Sequence, residues 1–123
     1  MGKVLELEPN PTDGTTEIVW QWNSWDHLVQ DQFPDRLNYG DVSKEHGRID
    51  INYLRDGMVS FNTGQMLHTN WVDYNARLDQ IVLSVPAFGE FWIIDHRTTM
   101  AEAATRKGDF LYRFGNPAAT KTG

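Results

Sequence analysis

The feature that most constrains the fold of this chain is a series of three short segments between Leu67 and Asp95, separated from one another by turn-forming residues. The segments are residues 67–75, 79–84 and 89–95. The second and third contain nearly continuous apolar runs, which are typical of strands covered on both faces. The series therefore predicts three consecutive strands joined by short turns, the arrangement found in antiparallel sheets.

The first of these predicted strands carries His68 and Asn70, two residues apart. Side chains at this spacing project from the same face of a strand, so both could contact one ligand. The other interpretation is structural, because a strand histidine commonly bonds a neighbouring carbonyl and an asparagine can bond the backbone. We predict that His96, which follows the third strand, is exposed.

Strands are also predicted near both ends of the chain. Residues 4–9 and 16–22 flank a connection rich in turn formers, a pattern typical of a hairpin. In the second of these strands Trp20 and Trp22 share a face, where they could stack an aromatic ligand or belong to the core. Residues 109–114 predict a last strand with aromatic side chains on one face.

Two short helices are predicted between the strands. One covers residues 25–31, and Asn23 or Ser24 can cap it. The other follows Thr99, which fits a capping box with Glu102. Both helices are too short to form a separate layer of the fold.

A further hairpin is predicted where residues 49–54 and 58–61 flank an Asp-Gly pair. Taken together, the elements predict a mainly β fold of the sandwich, barrel or propeller type. The 123 residues, of which 40% are hydrophobic, are enough for one domain with its own core. We therefore expect a single small β domain over residues 1–123.

Composition excludes several classes of function. The formal net charge of −6 argues against nucleic acid or an anionic membrane as a partner, since both need clustered Lys and Arg. The absence of cysteine excludes disulfides, thiolate metal sites and a cysteine nucleophile. The spacings of His, Asp and Glu match no metal motif, and no stretch approaches the roughly 20 apolar residues that span a bilayer. We predict a soluble chain that binds no metal, and the sequence does not determine its cellular compartment.

Six pieces of the sequence occur in an order that resembles the arylsulfotransferase family of bacterial β-propeller enzymes. In that family a Trp-x-Trp-like strand precedes a His-x-Asn strand, and two apolar strands and a closing strand follow. The six pieces are residues 4–9, 18–22 followed by 26–28, 67–75, 81–84, 90–95 and 111–115. The resemblance implies antiparallel propeller-blade-like sheets with two short helices. It covers roughly one and a half blades, with blade-like units at about 3–31 and 67–114 joined by a loop-rich segment at 32–62.

The resemblance also implies a chemistry, the transfer of sulfate between phenolic compounds through a histidine and without a nucleotide cofactor. We expect no cofactor in this chain. It makes His68 the candidate catalytic residue, with Asn70, Trp20 and Trp22 as candidate ligand-binding residues. The active-site arginine of the family follows the strand that here ends at Ser84, where this chain has Val-Pro-Ala. Because sulfuryl transfer needs positioned cations, we expect the chain to be incomplete as an enzyme.

The alternative function is a non-catalytic β-sheet binding module, or a stand-alone propeller fragment that oligomerises. An isolated blade leaves apolar sheet faces and unpaired strand edges exposed, and both favour association with another chain. We therefore predict a homo-oligomer, most simply a symmetric dimer with Phe91 or Trp92 near its interface. A small aromatic or sulfate-bearing ligand is the other expected partner.

Overall fold

Antiparallel strand pairing dominates the structure, a computed structural model that describes residues 2–53 and 67–122. Within these ranges the chain forms an antiparallel hairpin, a four-stranded antiparallel sheet and one short parallel pair. The mainly β prediction is therefore confirmed. The strands are β1 (Lys3–Pro9), β2 (Thr16–Asn23), β3 (Leu28–Val29), β4 (Ile49–Asp50), β5 (Trp71–Asn75), β6 (Gln80–Val85), β7 (Glu90–Asp95) and β8 (Tyr112–Phe114).

The first hairpin forms as predicted, with β1 and β2 paired along their length. Its connection is closed by the amide of Asn10, which donates to the carbonyl of Thr15 at 2.8 Å. The Asp13 carboxylate accepts bonds from both the amide and the hydroxyl of Thr15, which fixes the turn. The alternation of β2 then directs Trp20 and Trp22 into the core, where they are 4% and 2% exposed.

The four-stranded sheet has the order β5-β6-β7-β8, and each neighbouring pair is antiparallel. β5 begins at Trp71, so the prediction that His68 and Asn70 lie within this strand was wrong. Trp71 pairs with Ser84, and the residues that would stand opposite His68 belong to the turn that contains Pro86. Since proline has no N–H to donate, the ladder cannot extend past this turn.

The two faces of this sheet differ in what they contact. One face belongs to the core cluster, together with both tryptophans of β2. Its buried side chains are Ile81, Leu83, Val85, Trp92 and Ile94. The opposite face, here called the outer face, carries apolar side chains that reach solvent. Its apolar side chains are those of Trp71, Val82, Phe91, Ile93, Tyr112 and Phe114, and Asp73 and Ser84 complete the same cross-strand rows.

A close backbone contact joins the start of β7 to the end of β8. Gly89 precedes β7 with a φ of 65°, and Gly115 follows β8 with a φ of 141°. A Cβ atom on Gly115 would lie 2.1 Å from the carbonyl oxygen of Gly89. Only glycine permits both this approach and this backbone conformation, so the meeting of the two strand ends depends on it.

The first predicted helix is much shorter than expected. Asn23 caps it, since its side chain accepts a bond from the amide of Trp25, but the helix is a single 3₁₀ turn over Ser24–His27. The chain then becomes extended as β3, because Leu28 and Val29 are buried and pair in parallel with β4. The prediction of a helix through residue 31 was therefore wrong.

The second predicted helix begins where the capping box places it. Thr99 and Glu102 bond each other's backbone amides at the start of α1 (Met100–Ala103), and a 3₁₀ turn follows over Arg106–Gly108. Another 3₁₀ turn covers Pro117–Thr120. No helix in residues 2–53 and 67–122 is long and apolar enough to cross a bilayer.

Two strand predictions have different outcomes. The last strand is three residues long instead of six, because the amide of Phe110 donates to the carbonyl of Gly47 at 2.8 Å and its ring enters the core. The hairpin predicted around Asp56 and Gly57 lies outside the described residues, except for its first strand, part of which is β4.

Candidate functional site

A groove runs between β1 and β5, two strands that each pair on one side only within the described part of the chain. It consists of two adjoining cavities of about 360 and 420 Å³. Val4, Leu5 and Val72 line both cavities, so the two form one continuous groove. Each cavity lies within the range of about 300–1,000 Å³ that is typical of ligand sites in proteins.

Consecutive residues of two segments build the walls of the groove. Residues 2–6 line one wall and residues 69–74 line the other. Side chains alternate between the two faces of a strand, so a wall that includes every residue is the edge of that strand. The groove is therefore bounded on both sides by strand edges, which carry backbone N–H and C=O groups.

The floor of the groove is apolar and aromatic. Trp22, Leu83 and Trp92 lie at the base of the first cavity, and Ile81 lies at the base of the second. All four side chains belong to the buried core cluster. Both indole N–H groups are already bonded within the protein, so the floor offers a ligand apolar contact only.

A histidine joins the two sides of the groove at the end of the second cavity. His96 Nδ1 lies 2.7 Å from Asp79 Oδ1, and its Nε2 lies 3.1 Å from Glu6 Oε2 on β1. Tyr74 of β5 donates its hydroxyl to the same Asp79 oxygen at 2.8 Å. The Trp20 ring packs edge-on against the imidazole, with centroids 4.7 Å apart. These contacts leave the His96 side chain only 17% exposed, so the prediction of an exposed histidine was wrong.

Two carboxylates set the protonation of His96. Burial acts to lower the pKa of His96, but its hydrogen bonds to Asp79 and Glu6 outweigh burial and raise the pKa above the ordinary value of 6.5. The bonds from His96 and Tyr74 lower the pKa of the Asp79 carboxyl, and the bond to Asp79 raises the pKa of Tyr74. The arrangement favours an imidazolium held between two carboxylates, which is an ionic link across the groove.

The four residues predicted as a site do not converge on one point. The His68 side chain is exposed, and it has no hydrogen-bond or ion-pair partner within residues 2–53 and 67–122. Asn70 and Trp22 both line the first cavity. Trp20 lines neither cavity, and its indole N–H donates to the carbonyl of Thr98 at 2.9 Å. The catalytic role of His68 and the ligand-binding roles of the other three stay predictions.

The link formed by His96, Asp79 and Glu6 was not predicted from the sequence. Glu6 is separated from His96 by 90 positions, so no local spacing connects them. One signal was present in β1, where Glu6 follows Val4 at a spacing of two and therefore shares its core-facing side. The Glu6 side chain keeps 52% of its surface exposed, but on this side its carboxylate can accept a bond from a donor such as His96, which a search for titratable groups near strand ends could have supplied.

A second histidine supports the fold. His27 is fully buried and stacks on Trp22, with ring centroids 4.9 Å apart. Its Nδ1 lies 2.8 Å from Asp109 Oδ1, and its Nε2 lies 2.9 Å from the carbonyl oxygen of Ala103. These bonds tie the 3₁₀ turn after β2 to α1. Among the described residues, no group of three or more His, Asp or Glu side chains is arranged so that it could hold a metal ion.

Comparisons with protein-family models, with curated proteins and with solved structures find no match to this chain. What the groove can do chemically follows from its geometry. It combines an apolar floor, two strand edges and one ionic link at its end, a set of features suited to binding.

Proposed function

We propose that this chain is a non-catalytic β-sheet interaction module that associates with a second copy of itself through the outer face. The observation that carries the proposal is the exposure of aromatic side chains on that face. Phe91, Tyr112 and Phe114 are 39%, 53% and 59% exposed, and the rings of Phe91 and Phe114 contact each other at a centroid distance of 5.4 Å.

The outer face departs from the pattern of a sheet face that is adapted to water. An antiparallel sheet with one solvated face normally alternates apolar residues inside with polar residues outside. Here Val82, Ile93 and Tyr112 form one cross-strand row, which ends at Asp73 on β5. In the next row Trp71, Phe91 and Phe114 are aromatic and Ser84 is polar. A contiguous apolar patch of this kind is typical of an interaction surface.

A second copy of the chain is the partner that this face fits. Four strands spaced about 4.8 Å apart and about five residues long present roughly 300 Å² of sheet plane. Two such faces can pack around a two-fold axis at the separation of about 10 Å seen between stacked sheets. A standard interface buries about 800 Å² per partner, so the outer face by itself supports a dimer that dissociates on dilution.

Phe91 is one of the two residues predicted to lie near the interface, and its position on the outer face supports that prediction. Trp92, the other, is 1% exposed and belongs to the core cluster. Adjacent strand residues point to opposite faces, so only one of the two can face a partner.

Light scattering coupled to size exclusion tests the proposal. We expect a mass that rises with concentration toward twice the 14.2 kDa of one chain, and a monomer for the double variant Phe91→Thr/Phe114→Thr. Threonine keeps the strand propensity while removing the aromatic surface. Leu37→Thr is the matched control, since Leu37 is fully exposed in a loop outside the sheet. A wild-type monomer at high micromolar concentration, or a double variant with wild-type mass, overturns the proposal.

Sulfate transfer between phenols is the second candidate function, and the exposure of His68 favours it. His68 stands between Leu67 and Thr69, which both line the first cavity together with Asn70. A small aromatic or sulfate-bearing ligand in that cavity would contact Trp22 at its base. Turnover of an aryl sulfate donor with a phenol acceptor, lost in His68→Gln, would establish this activity. Absence of turnover in the wild-type chain would reject it and leave the interaction module.

A further inference from the structure

We propose that the groove between β1 and β5 binds an extended peptide segment in which apolar and basic residues alternate. The groove meets the outer face along β5, where Trp71 and Asp73 belong to both. None of the outer-face side chains of β6, β7 and β8 lines either cavity. The groove is therefore a second surface beside the one proposed for self-association, and it takes a different partner.

The two walls of the groove present backbone groups that no second strand bonds. Among the described residues β1 pairs only with β2 and β5 pairs only with β6, so each strand keeps one edge without a strand partner, and of the β5 amides that of Tyr74 is bonded by the side chain of Asp73. An extended segment that lies along such an edge adds a strand and satisfies these groups, a common mode of peptide recognition. Residues 2–6 and 69–74 offer edges of about five residues, or roughly 17 Å of extended chain.

The side chains that line the groove determine which types of residue a bound segment should contain. Successive residues of an extended segment point alternately toward the floor and toward solvent. The floor, with Ile81 in one cavity and Leu83 in the other, accepts apolar side chains. The rim of the second cavity carries the carboxylates of Glu6 and Asp73, whereas Lys3 lines the first cavity.

The charges around the groove favour basic residues at the positions of the bound segment that point toward solvent. The carboxylates of Glu6 and Asp73 line the second cavity and that of Asp79 lies behind His96, so the imidazolium offsets only one of three negative charges. The net charge of −6 also attracts cationic segments from a distance. Lys3 repels a basic residue at the other end, so the preference is strongest near Glu6. An acidic segment of the same hydrophobicity is expected to bind more weakly.

A synthetic peptide tests the proposal. The probe is the blocked hexapeptide Val-Lys-Val-Lys-Val-Lys, and binding is followed by amide chemical shifts and titration calorimetry. We expect saturable binding, with the largest shifts and slowed amide exchange at residues 3–6 and 71–74. The same peptide with three N-methylated amides cannot donate backbone bonds, and it should bind about tenfold more weakly or worse.

A protein variant tests the charge argument separately. Asp73→Asn should weaken binding of the lysine peptide about two- to fivefold. The asparagine retains an oxygen for the bond from the amide of Tyr74, which Asp73 Oδ1 accepts at 2.8 Å. Glu17→Gln removes the same charge from β2, outside the groove, and should leave affinity unchanged.

Three results would overturn the proposal. The first is the absence of saturable binding by the lysine peptide to the wild-type chain. The second is equal affinity for the N-methylated peptide, which would show that strand edges take no part. The third is equal affinity for Val-Glu-Val-Glu-Val-Glu, which would remove the charge preference.

Discussion

Arg113 and Glu90 form an ion pair inside the protein, with side chains that are 8% and 2% exposed. Arg113 Nε lies 3.1 Å from Glu90 Oε2, and its Nη1 donates to the carbonyl of Arg48 at 2.8 Å. The guanidinium lies 5.9 Å from the ring centroid of Trp92 and 5.7 Å from that of Phe110. The pair therefore links β7 and β8 to the loop before β4, against the aromatic core.

Removing the arginine should destabilise the fold strongly. Arg113→Ala leaves the Glu90 carboxylate buried without its cation, which typically costs about 3–5 kcal/mol of unfolding free energy. Urea denaturation followed by tryptophan fluorescence measures this loss. Arg97→Ala is the control, because the Arg97–Asp95 pair lies at the surface with Arg97 62% exposed, and it should change stability little. Similar losses in both variants would contradict the argument.

The His96 link predicts a pH dependence of stability. Because the folded pKa of His96 is raised above 6.5, its contribution is fully present below that pH and is lost as the pH rises through the folded pKa. The melting temperature of the wild-type chain should therefore fall as the pH increases above about 6.5. In His96→Gln, which can bond only as a neutral group, this part of the dependence should vanish. A wild-type profile that rises or stays flat over that interval would refute the assignment.

Asp50 should be a site where a neutral side chain stabilises the protein. Burial raises the pKa of the Asp50 carboxyl, because ionising it inside the fold is unfavourable. Its Oδ1 accepts a bond from the amide of Asn52 at 2.8 Å, whereas Oδ2 has no hydrogen-bond partner in the part of the chain that the structure describes. Asp50→Asn keeps the first bond and removes the charge.

The expected result for Asp50→Asn is a higher melting temperature at neutral pH. The gain should shrink as the pH falls toward 3.8, the ordinary pKa of the group, since the wild-type carboxyl is then protonated. Asp35→Asn serves as control because Asp35 is 74% exposed, and its melting temperature should stay at the wild-type value. A lower melting temperature for Asp50→Asn would show that the carboxylate is needed in its charged form.

His68→Ala should leave the fold intact. The side chain is exposed and precedes β5, so its truncation should cost less than about 1 kcal/mol. Differential scanning calorimetry tests this. A drop in melting temperature of more than about ten degrees would make His68 a structural residue and would weaken its candidacy as a catalytic one.

The strands of the four-stranded sheet could be predicted because their signals are local. β6 and β7 are apolar runs bounded by turn residues, and both lie within two residues of their predicted bounds. The start of β5 could not be predicted in the same way. The strand begins at Trp71 because the turn that contains Pro86 lies opposite the residues before it. That opposition exists only after β5 and β6 have paired.

The candidate site was less predictable than the fold because its parts come from distant segments. The floor uses Trp22 from the hairpin and Leu83 from the sheet, and the pattern shows that each is apolar without showing that they meet. The link between Glu6 and His96 likewise joins opposite ends of the chain. Periodicity assigns a residue to a face, whereas tertiary packing decides which faces form a groove.

The contact between Gly89 and Gly115 limits how this sequence can diverge. Any side chain at position 115 would meet the backbone of the neighbouring strand end, and a backbone collision cannot be relieved by choosing another rotamer. Among relatives that keep the four-stranded sheet, position 115 should therefore be invariant, while the exposed Phe114 beside it can drift as far as folding is concerned. Conservation of the glycine would then indicate that a relative shares this fold, whereas conservation of the aromatic residue beside it would indicate that the relative has kept a partner.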